Sequence, residues 1–495
     1  MRANICMVFT LLLCALPARA GEHRLAVVVG NNAAVDGDLE PLKYADDDAF
    51  KYARFFAPVV DGLELLVAAD KESSVLFAAG AAQSLPPTRA NVLEAVARTV
   101  DKAHRLARSG EQVVVYFVFA GHGNYDAEGR GYLHLEDGRF TTRDLFYHLI
   151  GEATDFQLVL LIDACNAGFL VQSRGGSERR PVGPTTLNLE DYENVGLILS
   201  SSSAGEVREW GRYLSGIFSH QVRSGLTGVA DVDGDGRVTF QELAAFVAAA
   251  NARVENPTLR LHPYIRPPLA TPSMPIIDLA GAFTRTIELR FEADSKVAFL
   301  DSNLVRYADV NVAAGHTVQV GLALPEEVLV VVDETTEYVV PATGSGVIRL
   351  VDLKARAAAP LAVRGVDHYY RSHLFAEPYD RAFAVNWLES DYPGTLMFER
   401  VSPGPWYGNG WAWAVAGAGL ALATSGGILT WEAGQSHQAA LDTPWGDERA
   451  RLNDRVDRLQ AWSVGAYAVG AGALATSVIL FLADRPELRE QVRPQ

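Results

Sequence analysis

Cysteine is scarce in this chain: three of its 495 residues are cysteines. Two of them, Cys6 and Cys14, lie within residues 1–20, which have the arginine, the apolar run and the small-x-small ending of a cleaved signal peptide. Cleavage after Ala20 would leave Cys165 as the one cysteine of the mature chain and would exclude an internal disulfide. The segment predicts export to the periplasm or another extracytoplasmic space, with an uncleaved membrane anchor as the alternative.

Positive charge is also scarce. The chain has 43 Lys and Arg residues against 60 Asp and Glu residues, a formal net charge of -17. This balance argues against a nucleic-acid partner and against a basic membrane-binding surface. Hydrophobic residues make up 49% of the chain, which is enough for a packed core, and the length indicates more than one domain.

Charge is absent from two long stretches near the C terminus, 411–431 and 462–483. Each is long enough to cross a bilayer as a helix, and tryptophans lie at the ends, as they do at membrane interfaces. The many small residues would let two helices pack closely. The sequence therefore predicts a transmembrane helix hairpin with a loop at 432–461, a tail at 484–495 and a juxtamembrane connector at 366–410. The alternative is a pair of buried, alanine-rich core helices.

Residues 21–278 alternate apolar strands with helical stretches, which is typical of an α/β domain with a mostly parallel sheet. Gln112–Phe119 and Phe156–Ile162 are nearly unbroken apolar runs, which predict central strands buried on both faces. The pattern also predicts a helix over Pro41–Phe56 that contains an acidic turn. From 279 to 365 the strands alternate or run apolar between turns, which predicts a small β-sandwich-like domain.

His122, in Ala-Gly-His-Gly, and Cys165, in Asp-Ala-Cys-Asn-Ala-Gly, each follow one of the predicted central strands. Reactive groups gather at the carboxyl ends of parallel strands, so we expect the two residues to share one edge of the sheet. This placement predicts a nucleophile–base pair for acyl transfer. The backbone amides of Gly123 and Cys165 would form the oxyanion hole. The alternative is a buried thiol and an unrelated loop histidine.

The order of four motifs resembles that of the caspase-like cysteine peptidases: Phe-Ala-Gly-His-Gly, Leu-Leu-Ile-Asp-Ala-Cys-Asn-Ala-Gly, Leu-Ser-Ser-Ser-Ser, and Ser-Gly-Ile-Phe-Ser from Ser215. Within that family, the metacaspase and bacterial caspase-like branch is the most similar. The resemblance covers about residues 25–278. It implies the caspase-haemoglobinase fold, a three-layer α/β sandwich, with His122 as the base and Cys165 as the nucleophile.

The resemblance also implies a substrate preference. Metacaspases have an aspartate two residues before the nucleophile, where this chain has Asp163, and that aspartate helps to line a pocket for Arg or Lys. Asp48, in the acidic turn, falls where the pattern has a second pocket carboxylate. Two convergent carboxylates favour a cationic side chain, so the expected substrates are proteins or peptides with basic residues. The alternatives are a structural role for Asp163, and Asp46 or Asp47 in place of Asp48.

In this family the substrate adds as an extended strand, which implies that residues 201–206 offer it main-chain hydrogen bonds. The loop 166–193, rich in Gly, Ser, Pro and Arg, is long for a compact domain, which indicates a functional or cleavable segment. The Arg174–Gly175 bond is the candidate for self-processing, and an uncleaved flexible loop is the alternative.

Residues 231–242 fill every key position of a twelve-residue calcium-binding loop, and helical stretches flank them. The predicted ligands are the carboxylates of Asp231, Asp233, Asp235 and Glu242 and the carbonyl of Arg237. We therefore predict a Ca²⁺ ion with a structural or regulatory role, and no organic cofactor. The alternative is a turn that only resembles such a loop.

The sequence supports three hypotheses. The first is an exported, membrane-tethered cysteine endopeptidase that cleaves after Arg or Lys. The second is a catalytically silent caspase-fold module, anchored in the membrane, that serves docking or regulation. The third is another hydrolase or a transamidase on the same fold, with a different preference at the cleaved bond. The presence of His122, Cys165 and Asp163 together favours the first.

Overall fold

The computed structural model describes residues 22–36, 39–128, 130–165, 167, 191–200, 209–256, 259–261, 263–358, 366–390, 410–444 and 446–483. They belong to two compact units, residues 1–395 and 396–495. The predicted signal peptide, the segment 201–206, the Arg174–Gly175 bond and the tail 484–495 lie outside the described residues.

The first part of unit 1 alternates strands and helices. In chain order its strands are β1 Glu22–Asn31, β2 Gly62–Ala68, β3 Gln112–Gly121, β4 Gly123–Tyr125, β5 Gly131–His134, β6 Arg139–Thr141, β7 Gln157–Asp163, β8 Val195–Leu199, β9 Glu209–Trp210, β10 Ser215–Gly216, β11 Arg237–Thr239, β12 Tyr264–Arg266 and β13 Pro275–Asp278. Its helices are α1 Ala45–Phe56, α2 Lys71–Leu76, α3 Ala78–Ala81, α4 Arg89–Arg108, α5 Thr142–Leu145, α6 Ile217–Ser224 and α7 Phe240–Asn251, with π-helical turns at Phe146–Ile150 and Gly225–Val229.

The centre of this part is a six-stranded sheet in the order β12-β8-β7-β3-β1-β2. All neighbouring pairs are parallel except β12 with β8. Strand β3 shows why the sheet is central: Tyr116 and Val118 belong to the apolar core on one face, and Val115 and Phe117 to the core on the other. Helices α1, α6 and α7 contribute to the first core and α4 to the second. The predicted central strands, buried on both faces, are confirmed.

Helix α1 begins at Ala45, so the predicted start at Pro41 was wrong and the acidic turn is the first turn of the helix. The reason is a cap from a distant loop: Asn32 Oδ1 accepts hydrogen bonds from the amides of Ala45 at 2.7 Å and Asp46 at 3.3 Å. Carboxylates in a first turn are also stabilised by the helix dipole.

The rest of unit 1 is mainly β-structure. Its strands are β14 Arg285–Arg290, β15 Ser295–Leu300, β16 Arg306–Val312, β17 Thr317–Leu322, β18 Val328–Val332, β19 Thr336–Val340, β20 Gly346–Arg349 and β21 Arg356–Ala357, and two helices follow, α8 Val366–His373 and α9 Arg381–Ser390. The strands form two sheets, β17-β14-β20 and β16-β15-β18-β19-β21. Inward residues such as Ile287 and Phe299 pack in the same apolar core as α1, α6 and α7.

Unit 2 contains two long helices, α10 Gly410–Asp442 and α11 Asp447–Ala483. Small residues bring them close together. A methyl group added at Gly419 would lie 3.0 Å from the carbonyl oxygen of Gly470, and one at Gly470 would lie 2.9 Å from that of Gly419. Ser477 also donates a hydrogen bond to the carbonyl of Ala412 at 2.9 Å.

One helical segment of unit 2, Ala412–Asp442, is long and apolar enough to cross a membrane, and few of its residues are buried. No other helix in the described part of the chain meets that criterion. The predicted hairpin of two membrane-spanning helices therefore remains a prediction.

Candidate active site

The sheet register brings His122 and Cys165 together. Strands β3 and β7 are parallel neighbours, and Ala120 pairs with Asp163. His122 comes two residues after Ala120, and Cys165 two residues after Asp163, so both follow their strands by the same distance. The backbones meet there, because a methyl group added at Gly123 would lie 2.3 Å from the carbonyl oxygen of Cys165.

The His122 imidazole is buried, with 6% of its surface exposed, whereas Cys165 is half-buried and outside any disulfide. Burial lowers the pKa of His122 below its ordinary 6.5, and a hydrogen bond with the Glu40 backbone acts the other way. Its Nε2 atom has no hydrogen-bond partner among the described residues. The ring of His134 lies behind it, edge to face, with 5.8 Å between ring centroids. A neutral imidazole is the protonation state that a general base requires.

The backbone amide of Gly123 is not used by the β4–β5 ladder. In an antiparallel pair, hydrogen-bonded and non-hydrogen-bonded positions alternate. His134 donates to the carbonyl of His122 at 3.0 Å, and Asp126 donates to that of Arg130 at 2.9 Å. Gly123, paired with Leu133, therefore occupies a non-hydrogen-bonded position, and the β4–β5 ladder does not use its N–H group.

Asp163 ends β7 and is 3% exposed. Its Oδ2 atom accepts hydrogen bonds from the amide of Ser219 at 3.2 Å and from its hydroxyl at 2.6 Å. Its Oδ1 atom has no hydrogen-bond partner within the described part of the chain. Burial, together with the nearby charge of Asp48, raises the pKa of Asp163 to about 7.

Asp48 is brought next to Asp163. A methyl group added at Gly216 would lie 2.8 Å from Oδ2 of Asp163 and 3.2 Å from Oδ2 of Asp48. Asp48 is already paired: its Oδ2 accepts the Gly216 amide at 2.7 Å, and its Oδ1 accepts the Ser215 hydroxyl and, at 2.7 Å, Arg223 Nη1.

Asp46 and Asp47, the other two aspartates of the acidic turn, form hydrogen bonds away from Asp163. Asp46 accepts hydrogen bonds from Asn32 at 2.7 Å and from the amide of Asp70 at 2.9 Å. Asp47 accepts one from the hydroxyl of Ser73 at 3.2 Å. Of the three aspartates, Asp48 is therefore the one beside Asp163.

Residues 23–266 match the caspase domain family. This part of the chain is a caspase domain. Two solved structures are similar to the chain at 11% identity: caspase-1 from Spodoptera frugiperda with a TM-score of 0.32, and pro-sf-caspase-1 with 0.31. Each alignment covers 50% of this chain and 87% of the other. No curated protein matches the chain. For this part of the chain, the family assignment confirms the resemblance to the caspase-like cysteine peptidases.

Three residues of the caspase domain hold the two carboxylates, and the sequence does not predict these contacts. Ser215 and Ser219 belong to a motif that supported the resemblance, but their roles as hydrogen-bond donors appear only in the structure. Arg223 was missed. The available signal was general: a buried carboxylate such as Asp48 needs a cationic or hydrogen-bonding partner, and Arg223 lies one helical turn beyond Ser219 on α6.

The loop 231–242 connects the π-helical turn after α6 with α7 in the caspase domain. Carboxylate oxygens of Asp231, Asp233 and Asp235 lie within 4.8 Å of one another. Glu242 is turned to the start of α7, where its Oε2 accepts the amide of Thr239 at 2.9 Å, while its Oε1 accepts the amide of Val232 at 3.1 Å. Burial raises the pKa of Asp231 to about 6 and that of Glu242 to about 7. Such carboxylates suit a bound cation, which would favour their ionised forms.

Replacement of Gly123 by alanine is expected to destabilise the caspase domain by about 1–3 kcal/mol, because the new methyl group would overlap the Cys165 carbonyl and force the backbones apart. The loss of thermal stability would be measured by calorimetry. Gly138→Ala is the matched control, since its methyl group would meet no atom within 4 Å. Equal stability of the two variants would contradict the close contact.

Proposed function

We propose that the chain is a cysteine endopeptidase in which His122 and Cys165 are the catalytic dyad. The observation that carries the proposal is the register of β3 and β7, which brings a histidine and a cysteine to equivalent positions beyond two neighbouring strands of a caspase domain. The lowered pKa of His122 supports its role as a base.

In the proposed reaction, His122 takes the thiol proton as the sulfur of Cys165 attacks the scissile carbonyl carbon. The amides of Gly123 and Cys165 stabilise the resulting oxyanion. Collapse of the intermediate breaks the C–N bond, and the proton on His122 passes to the leaving amine. A water molecule, deprotonated by His122, then hydrolyses the thioester, which releases the carboxylic acid and restores the thiol.

The proposal includes cleavage after Arg or Lys. Asp48 is neutralised by Arg223, whereas Oδ1 of Asp163 has no hydrogen-bond partner among the residues described. A guanidinium or ammonium group from the substrate would supply that partner and favour the ionised carboxylate. We therefore assign recognition of the basic side chain to Asp163. Asp48 instead has a structural role, because it accepts hydrogen bonds from Ser215 and Gly216.

The test uses the full chain in detergent, with reduced thiol, and fluorogenic peptides ending in Arg, Lys, Asp or Asn. Cleavage after Arg and Lys is expected. Cleavage after Asp or Asn alone would retain the dyad and overturn the assignment of Asp163. No cleavage of any peptide by folded protein would favour the docking or regulatory module.

We also propose that the loop 231–242 binds Ca²⁺ through Asp231, Asp233, Asp235, Glu242 and the carbonyl of Arg237. Glu242 would have to exchange its hydrogen bonds at Thr239 and Val232 for the metal, which favours weak binding, with a dissociation constant on the order of 0.1–1 mM. Because an ion bound only by the folded loop stabilises it, millimolar Ca²⁺ is expected to raise the Tm by a few degrees.

This calcium prediction has a matched pair of variants. Asp233→Asn should remove the Ca²⁺-dependent rise in Tm, while Asp101→Asn, on the exposed face of α4, should keep it. A rise that survives in Asp233→Asn, or one that Mg²⁺ produces equally, would rule out the assigned site.

We further propose that the protein is exported and anchored in the membrane through residues 411–431 and 462–483. The support is the exposure of large apolar side chains on both helices of unit 2, among them Trp413, Trp431 and Trp462. The protein is expected to stay in the membrane pellet after alkaline carbonate extraction. A truncation at residue 405 should become extractable, and a full-length chain that is itself extracted would contradict the anchor.

A further inference from the structure

A charged cleft lies in unit 1 between the β9–β10 hairpin, the β-rich part and α8. Its charged lining residues are Arg212, Lys296, Arg306, Asp309, Glu334 and Arg371. Four cationic side chains therefore face two carboxylates, in a chain whose net charge is -17. The cleft contains none of the residues proposed for catalysis.

Both carboxylates of the cleft already have hydrogen-bond partners. Glu334 accepts hydrogen bonds from Arg212 at 3.0 Å and from Arg371. Asp309 pairs with Arg306, and His220 Nε2 lies 2.8 Å from its other oxygen. The positive charge of the lining thus exceeds what its carboxylates balance.

Lys296 lies near the carboxylates of Glu334, Asp309 and Asp333, which favour its charged form, but its ammonium pairs directly with none of them. Its backbone amide donates to Asp333 at 2.8 Å, but its ammonium group has no hydrogen-bond partner among the residues that the structure describes. Burial lowers the pKa of Lys296, and burial together with the neighbouring charge of Arg306 lowers that of Arg212. A bound anion would give this half-buried ammonium the direct hydrogen-bond partner that the three carboxylates do not supply.

We propose that this cleft binds a small tetrahedral oxyanion, inorganic phosphate or sulfate, through Lys296 with Arg212, Arg306 and Arg371. Three carboxylates, those of Asp309, Glu334 and Asp333, act on the four cations of the cleft, so cationic groups remain in excess and favour an anion. The cleft has a volume of about 50 Å³, and a single water needs roughly 10–15 Å³ on the same measure, so a tetrahedral oxyanion fits. The cations come from the hairpin, the β-rich part and α8, so the bound anion joins three segments of unit 1. The site is independent of the proposed peptidase activity.

The experiment measures the Tm of the full chain in detergent, without calcium, in phosphate, sulfate, acetate and chloride at equal ionic strength. Phosphate and sulfate are expected to raise the Tm by about 2 °C or more above chloride. Lys296→Gln should lose this rise without a lower Tm in chloride, since it removes a poorly solvated charge. Lys354→Gln, an exposed lysine of the same part of the chain, should retain the rise.

Three results would overturn the proposal. The first is a wild-type protein that responds to phosphate as it does to chloride. The second is an equal rise in acetate, which would show no preference for a tetrahedral anion. The third is a Lys296→Gln protein that keeps the phosphate response or is destabilised in chloride, which would make Lys296 part of a structural ion-pair network.

Discussion

Cleavage by the Cys165→Ala variant is expected to fall by at least about 10³-fold in kcat, because the alanine has no nucleophile to form the thioester. The kcat of His122→Ala should fall by about 10²–10⁴-fold, since the substitution removes the general base and the proton donor for the leaving amine. Both are measured with the peptide ending in Arg. The two losses should not add in the double variant, because the residues act as a unit.

The control for these variants is His148→Ala, which removes an exposed imidazole from the π-helical turn after α5. Full activity in that variant, together with an unchanged Tm in Cys165→Ala, would assign the losses to chemistry. Substantial peptide cleavage by Cys165→Ala would contradict the proposed nucleophile.

Asp163→Asn is expected to lower kcat/KM for peptides ending in Arg by roughly 10²–10³-fold, because it leaves the substrate cation without its carboxylate in a buried position. Asp101→Asn, on an exposed helix face, is the control and should change little. An unchanged preference for Arg in Asp163→Asn would contradict the assignment of the pocket.

The pH dependence gives a second readout of Asp163. Its pKa in the folded chain is about 7, so the carboxylate that binds a cation forms as the pH rises. For peptides ending in Arg, kcat/KM of the wild type should therefore increase up to about pH 7 and then level off. This rise of kcat/KM with pH should be absent in Asp163→Asn. If the rise persists in that variant, another group is responsible for it.

Proton linkage at Asp163 predicts that the free energy of unfolding falls over the pH range in which kcat/KM rises. The pKa of Asp163 is raised from the ordinary 3.8 to about 7 on folding, so the folded state binds more protons than the unfolded state in this range. Stability contributed by the protonated group is lost as the pH rises from about 4 to 7. Asp163→Asn should thus have a higher Tm than the wild type at pH 8 and no such advantage at pH 4, which separates lost recognition from unfolding.

The approach of His122 to Cys165 could be predicted because it follows from local pattern and sheet geometry. Two apolar runs predict neighbouring central strands, and the residues directly beyond them, His122 and Cys165, then meet at one edge. The helix cap from Asn32, the ring of His134 behind His122 and the pairing of Asp48 with Arg223 join residues far apart in the chain. No local period encodes such contacts, so the start of α1 and the partner of Asp48 were not predictable.

The charged cleft could not be predicted from the sequence either. Lys296 and Arg212 are unremarkable as single residues in the sequence, and only the packing of three distant segments brings their charges into one cleft. The loop 231–242 is the converse case, because its proposed Ca²⁺ ligands are close in sequence and the spacing alone predicts them.

The most direct test of the central claim is covalent trapping of Cys165 by peptidyl chloromethyl ketones ending in Arg or in Asp, followed by peptide mass spectrometry of the full chain. A single adduct on Cys165 is expected; it should form faster with the Arg reagent than with the Asp reagent, and much more slowly in His122→Ala. Two results would contradict the proposed dyad. One is a Cys165 that reacts with iodoacetamide but with neither peptidyl reagent. The other is a rate of labelling by the Arg reagent that His122→Ala does not change.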